Sequence, residues 1–485
     1  MIRTGAMSTE SNRTDVAAPS ESMWQPKLAL LVAATFFMEF LDGTVLTTAI
    51  PSIASDFRVP AADVNITMTA YLVTVAMGIP LSSWLAERMG ARRVFCFAIA
   101  VFTIASLLCA VSQDLTMLTL SRVAQGAGGA MMVPVGTLVV LRGTPKSELL
   151  RATAYLVWPG LLAPVLAPMV GGALTTFLSW HWIFLINLPL GLAAFIAALR
   201  LVPRTAVGDK RRLDWLGLLL TTLGVGALVV GLETLGGHTP GLVAAVVVGG
   251  GVLSLAGAVW WMTRAKVPLF NLGVFGTRTF RATSTGGFIY RLTISSVPFL
   301  LPLMFQDGFG WDPLKAGVMV AAVFVGNIGI KPATTPIIRR FGFKPVLVFA
   351  SFASAVTFVL CAFLSAETPE PVIFGLLLLS GAFRSIGFSA YASVQYADIV
   401  PEQLPSANAI SATLVQLAAG AGIAVGALFL RLFETAGFLG GENTAYKGAF
   451  LAMAVLMLVS TVDSLMLHRD AGAEVSAGGR GRQPR

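Results

Sequence analysis

Long apolar stretches with almost no charge recur along this chain, at residues 27–50, 64–84, 94–112, 115–140, 152–178, 182–202, 213–233, 241–262, 280–305, 314–338, 345–365, 371–396, 407–432 and 448–468. A helix needs about 20 mostly apolar residues to cross a bilayer. Fourteen such stretches would use roughly 280 residues at that length, leaving short loops and two tails. Only 12% of the 485 residues are charged, against about 25% in an ordinary soluble domain. A soluble protein, a disulfide-built secreted domain, a disordered hub and a chromatin protein are all excluded. The stretches run continuously and lack the alternation of a membrane barrel, so helices are expected rather than strands.

The net charge of +9 becomes intelligible once its placement is read. With the amino terminus on the cytoplasmic side, the inside loops and tails hold 25 of the 33 Lys and Arg residues. The outside loops hold four: Arg58, Lys315, Arg431 and Lys447. This asymmetry is the positive-inside rule, which predicts a multi-pass plasma-membrane protein with both termini cytoplasmic and leaves no role for nucleic acid. The loop 397–406, with Asp398, Glu402 and no cation, runs against the trend. Residues 1–26 and 469–485 read as disordered cytoplasmic tails, the first without the basic start, short apolar stretch and cleavage site of a signal peptide. Cys96, Cys109 and Cys361 sit singly in apolar runs and read as packing residues, and His181, His238 and His468 have no metal-binding spacing.

A repeat is also legible. "WLAERMGARRVF" carries Arg88, Gly90 and Arg92, and 252 residues later "IIRRFGFKPVLVF" carries Arg340, Gly342 and Lys344 at the same offsets. "LTLSRVAQGAGGA" and "LLLSGAFRSIGFSA" compare more loosely two spans further on. The expected architecture is therefore an all-α integral membrane protein with a six-helix bundle over 27–202, an inserted helix pair within 203–270, and a second, pseudo-repeated six-helix bundle over 271–468. Duplicated halves about a central cavity are an architecture of secondary transporters.

With these features together, the chain resembles the major facilitator superfamily, and within it the fourteen-span drug:proton antiporter branch, from about residue 27 to 468. "LDGTVLTTAIP" in the first span, "SRVAQGAGGA" with Arg122, Gln125, Gly126 and Gly128 in the fourth, "WHWIFLINLPLG" in the sixth and "LDWLG" at 213–217 carry the resemblance, in the expected order. Two motifs depart from the family pattern. Ser83 replaces the first Gly of the loop motif and Glu87 its Asp, and the fifth-span antiporter motif has Ala163 and Ala167 before Pro168, Gly171 and Gly172. Small residues are kept there, so close helix packing is expected, while the antiport direction is less firmly marked.

Ionisable residues inside a span are costly in hydrocarbon and mark function by default. Glu39 and Asp42 are three apart on one helix face, close enough for each to feel the other's charge. A proton carrier needs such a carboxyl pair, with Asp42 expected to take the proton and Glu39 as its partner, and the resemblance implies that Arg122 faces the cavity beside the first-span acid and helps set its proton affinity. The same residues also fit a permanent structural ion pair. Gln125, Trp158, Arg291, Asn327, Arg384, Tyr391, Gln395 and Gln416 are candidates for the substrate path. Lys331 and Arg384 have an alternative as partners of Asp463. The cationic excess favours anionic, zwitterionic or amphiphilic solutes over purely cationic dyes. Glu87, Arg88, Gly90, Arg92, Arg93, Arg340 and Gly342 are expected to gate the inner mouth, and Pro159, Pro164 and Pro168 to bend the fifth span.

Neither a dinucleotide fingerprint nor a P-loop is present, since no Lys-Ser or Lys-Thr pair follows the Gly126–Gly129 cluster. No cofactor is therefore expected, and the energy source is the proton gradient. The function that follows is proton-coupled efflux of amphipathic organic compounds by alternating access, with the lipid bilayer, protons and small molecules as partners; the sequence names no periplasmic adaptor. An alternative is a transporter of one defined metabolite, siderophore or lipid, working by uniport or symport. A non-transporting membrane scaffold would tolerate neutral substitutions at Glu39, Asp42 and Arg122.

Overall fold

The computed structural model describes residues 25–204, 212–236, 241–436, 444–468 and 471–476, and among them there is no strand. The helices of the first half are α1 (Pro26–Val45), α2 (Ile50–Phe57), α3 (Ala61–Met89), α4 (Ala91–Ala110), α5 (Leu115–Arg142), α6 (Leu149–Phe177), α7 (Trp182–Leu185) and α8 (Asn187–Leu201). Next come α9 (Trp215–Gly236) and α10 (Gly241–Met262). The second half holds α11 (Arg278–Ser295), α12 (Val297–Leu303), α13 (Pro313–Gly329), α14 (Lys331–Phe341), α15 (Phe343–Ala362), α16 (Glu370–Ala397), α17 (Leu404–Ala436) and α18 (Thr444–Met466), followed by a short α19 (Ala473–Ser476).

Among the described residues, twelve helical runs are long and apolar enough to cross a membrane, or thirteen with the bent pair α13–α14. This differs from the fourteen spans expected. The remaining stretch is α6, a helix of 29 residues in which several side chains lie outside the described set. Helices are the outcome because a backbone in lipid must satisfy its own hydrogen bonds. Hydroxyl side chains within them do the same: Thr35, Thr67 and Ser106 each donate to a carbonyl three or four residues back.

Several spans are broken where proline removes a donor. The first kinks through a 3₁₀ turn at Leu46–Ala49 ahead of Pro51. Ser296 separates α11 from α12, which has Pro298 in its first turn and runs on into a π turn at Met304–Gly308. The sharpest break, 51°, divides α13 from α14, and Pro332 in the first turn of α14 accounts for it.

Each half has its own core, built on residues such as Phe36, Phe95 and Phe102 in the first and Phe280, Tyr290 and Phe358 in the second. The inserted α9 packs on α10, α3 and α17. Within the second half α13 and α16 cross at backbone distance: a Cβ on Gly326 would overlap the Leu378 carbonyl, and one on Gly381 the Val323 carbonyl. The turns from α3 to α4 and from α14 to α15 fold alike, each on a glycine in the left-handed region, Gly90 at φ 87° and Gly342 at φ 80°.

At the end that carries the basic loops the two halves touch. Thr153 and Ser393 share a 2.6 Å hydrogen bond, Asn408 Nδ2 donates to the Pro134 carbonyl at 2.7 Å, and Arg339 donates to the Ser147 carbonyl at 3.2 Å and faces Glu148 at 3.8 Å. Part of the expected disordered tail also docks here. The α19 segment lies against the 146–148 turn, α6 and α14, with Val475 fully buried and Gly472 so close that a Cβ would come within 2.7 Å of the Phe343 ring. Residues 1–24 and 477–485 lie outside the described residues.

Candidate functional site

Two polar assemblies stand inside the apolar bundle. The first joins α1, α4, α5 and α8 around Asp42. Arg122 Nη1 donates to Asp42 Oδ2 at 2.5 Å, while Gln125 Nε2 and Asn187 Nδ2 both donate to Oδ1, at 2.9 and 2.7 Å. Gln125 is fixed in turn by donating to Ser106 Oγ at 2.7 Å and accepting from Arg122 at 2.7 Å. The guanidinium lies 4.0 Å from the centre of the Tyr71 ring and 5.8 Å from that of Phe184, a placement that satisfies part of its charge against π faces. Neither the Asp42 nor the Arg122 side chain has any solvent exposure. Three donors converging on one carboxyl are the environment of an ionised acceptor.

Glu39, one turn earlier, is treated differently. It is buried at 7% exposure, yet its Oε2 has no hydrogen-bond partner. Room for it is made by Gly129, where a Cβ would come within 3.4 Å of the Glu39 carboxyl and the Tyr71 hydroxyl. A buried, partly unpartnered carboxyl is tolerable as the neutral acid and costly as an anion.

The second assembly lies in the other half and faces α6 of the first. A cavity of about 250 Å³ opens between α6, the α11–α12 break, α13 and α16, lined by Gly160, Val297, Phe324, Asn327, Arg384 and Phe388 among others. Arg384 is only 6% exposed, and its Nε has no hydrogen-bond partner, nor has Asn327 Oδ1. The Arg384 guanidinium lies 5.2 Å from the centre of the Phe358 ring. One turn past Asn327, at the helix break, Lys331 donates to Ser389 Oγ at 2.6 Å. Arg291 donates to Gln395 Oε1 at 3.3 Å and lies 5.8 Å from the Phe388 ring centre. Asp463, an alternative partner for Lys331 and Arg384 in the sequence, instead accepts from Thr285 at 3.0 Å and packs on Gly286.

Of the eight residues expected along the substrate path, Asn327 and Arg384 line this cavity. Gln125 is sealed into the Asp42 assembly. Tyr391 is bonded to Ser460 and Ser464, at 3.0 and 2.8 Å, in the second-half core, and Gln395 is taken up by Arg291 and Ser411. Trp158 is 41% exposed and Gln416 half-buried, both away from the cavity lining. The gating candidates divide similarly. Arg92 donates to the Leu199 carbonyl of its own half, Arg88 covers Trp84, Arg340 covers Phe341, and Arg93 is exposed. Glu87 is half-buried. A contact across the halves is made by Arg339, which the sequence did not single out.

In the fifth-span motif, Ala163 and Ala167 are buried and Gly171 faces α1, where a Cβ would collide with Thr48 and Val45; Gly172 meets nothing. The Pro168 side chain lies outside the described residues. Sequence reasoning also passed over Asn187, Ser106, Tyr71 and Phe388. A polar side chain in an apolar run was the available signal for Asn187 and Ser106, while the partners of each lie on other spans.

The comparisons fit this geometry. The family model of the Major Facilitator Superfamily matches residues 32–278 and 283–484. A protein of Cronobacter sakazakii named multidrug resistance protein MdtD is 34% identical over 90% of this chain and 93% of its own length. The protein of that name from Serratia proteamaculans is 37% identical over 83% of this chain and 84% of its own. Among solved structures, the human organic anion transporter MFSD10 superposes with a TM-score of 0.65 at 16% identity, covering 90% of this chain and 99% of that one. A bacterial homologue of the iron transporter ferroportin superposes with a TM-score of 0.61 at 13% identity, over 91% and 98%. These two establish likeness of fold. By family match, by relatives and by fold, the chain belongs to the Major Facilitator Superfamily.

Proposed function

We propose that this protein exports amphipathic organic compounds across the bacterial inner membrane in exchange for protons, with both termini in the cytoplasm, as in the drug:proton antiporter branch. Its relatives' name, multidrug resistance protein, supports the export of drugs. One observation carries the coupling: Glu39 is buried with an unpartnered oxygen beside an Asp42 that is fully engaged by Arg122, Gln125 and Asn187.

The sequence put Asp42 first as proton carrier, and the geometry favours reversing the order. Asp42 and Arg122 form the fixed ion pair, and Glu39 carries the proton. When the cavity opens to a basic compartment, water reaches Glu39 and the proton leaves. The resulting anion stands one turn from the Asp42 carboxylate and lies against Gly129 of α5 with an oxygen unpartnered, so keeping it buried is costly and that packing of α1 against α5 is disfavoured. Substrate entry and closure then turn the cavity to the acidic side, where the substrate leaves, water brings Glu39 a proton and the cycle resets. Breaks at 46–49, 296 and 330 provide the joints for such rocking.

Expression in a pump-deficient bacterium tests the reading. Resistance to several structurally unrelated amphipathic compounds is expected, and a protonophore should abolish it. Resistance to one compound alone, or resistance that survives the protonophore, would contradict it.

A further inference from the structure

We infer that the cavity between the halves recognises an anion: the Arg384 guanidinium receives the carboxylate, sulfonate or phosphonate of an amphiphilic substrate whose apolar body lies on Val297, Val323 and Phe324. The inference rests on the export reading and names the substrate class of its site.

The charge count carries it. Arg291, Lys331 and Arg384 are at most 6% exposed, and none of the three is within ion-pair distance of a carboxylate among the described residues. Asp463, the acid within a span of the same half, accepts from Thr285 through Oδ1 and leaves Oδ2 without a hydrogen-bond partner, and it is not within ion-pair distance of any of the three. In the first half the buried cation is matched by Asp42 at 2.5 Å, so the absence of a counter-charge is confined to the second. Cations withdrawn from water without a partner are costly, and a ligand anion is what removes that cost.

Arg384 and Asn327 line the cavity, and the Arg384 Nε is buried without a partner. Arginine presents a planar fork of donors suited to a two-oxygen anion. One turn past Asn327 the chain breaks by 51°, and the eleven-residue α14 begins at Lys331, so the positive end of a half-helix lies one turn from the cavity wall. Half-helix ends of that kind face anionic groups in other membrane transporters. The rest of the lining is apolar, with Ile294, Val297, Val320, Val323 and Phe324 on the walls. A small inorganic anion would leave this surface wet.

Binding to the purified full-length protein in detergent, measured by calorimetry without any ion gradient, tests the proposal with three probes of one shape: 2-naphthoate, 2-naphthylmethanol and 2-naphthylmethylammonium. Naphthoate is expected to bind at least tenfold more tightly than either other probe. Arg384→Gln should remove most of that preference, and Arg384→Lys should retain part of it. Lys331→Gln, which keeps a donor for Ser389, should weaken naphthoate severalfold and the alcohol hardly at all. Monodispersity on size exclusion shows that each variant is folded. Equal or tighter binding of the alcohol or amine, no binding of any probe, or an unchanged preference in folded Arg384→Gln overturns the inference. Chloride or phosphate binding as tightly as naphthoate would make it an inorganic-anion site, and displacement of naphthoate by phosphatidylglycerol headgroups at equal concentration would make it a lipid site; either result removes the substrate assignment. Because no gradient is imposed, loss of proton coupling with intact naphthoate preference would overturn the export reading alone, and proton-driven export without that preference would overturn this inference alone.

Discussion

At the scale of single residues, the central distinction is between a charge that is paired and one that is not. Asp42 and Arg122 are mutually buried with no exposure, so removing one partner strands the other. Breaking a buried pair costs about 3–5 kcal/mol, whereas replacing both partners together is often far milder. Asp42→Asn and Arg122→Gln should each lower the melting temperature of the purified protein, and the double variant should lower it by less than the sum. Strict additivity would show that the two do not act as a pair. A second residue-scale expectation concerns Gly381, where a Cβ would lie on the Val323 carbonyl. Gly381→Ala should force α13 and α16 apart and reduce the yield of folded protein, while Gly172→Ala, where a Cβ meets nothing, should leave yield unchanged.

At the scale of elements, the spans were legible because hydrocarbon demands a continuous apolar run, and such runs survive any arrangement of neighbours. The pairing of Asp42 with Arg122 was legible as one of two readings, since two opposite charges within separate apolar spans have few alternatives to each other. Asn187, Tyr71 and Ser106 were not, because their relevance arises only where other spans bring them into the assembly around Asp42 and Arg122. The break after Ile330 was similarly hidden within a stretch read as one span, and docking of 471–476 within a polar tail. Both invite tests. Pro332→Ala restores the donor that the α13–α14 junction lacks, so it should straighten the pair and slow substrate counterflow severalfold without lowering the melting temperature. Removing residues 471–485 takes away the contact of Val475 and Gly472 with both halves. It should speed labelling of a Ser393→Cys variant by a membrane-impermeant maleimide from the basic-loop side severalfold. An unchanged labelling rate would mean that α19 does not help hold that end shut.

At the scale of the whole molecule, the first half holds a neutral ion pair plus a titratable acid, and the second holds three buried cations with no carboxylate in ion-pair range among the described residues. A proton moving down roughly 100 mV and one pH unit releases about 2.3 plus 1.4 kcal/mol, which supports on the order of 500-fold accumulation of a neutral solute. Exchange of one monoanion for one proton moves two positive charges inward, so the voltage contribution doubles to about 4.6 kcal/mol. A potassium diffusion potential without a pH gradient should therefore drive export of an anion faster than of its neutral analogue of the same shape.

Substrate-dependent proton movement in proteoliposomes, followed with an entrapped pH dye, tests the coupling most directly when wild type and Glu39→Gln are compared using a compound identified by the resistance screen. The expected result is proton flux in the wild type and none in Glu39→Gln, which nonetheless still exchanges substrate for substrate. Proton flux at the wild-type rate in folded Glu39→Gln would contradict the assignment of the proton to Glu39.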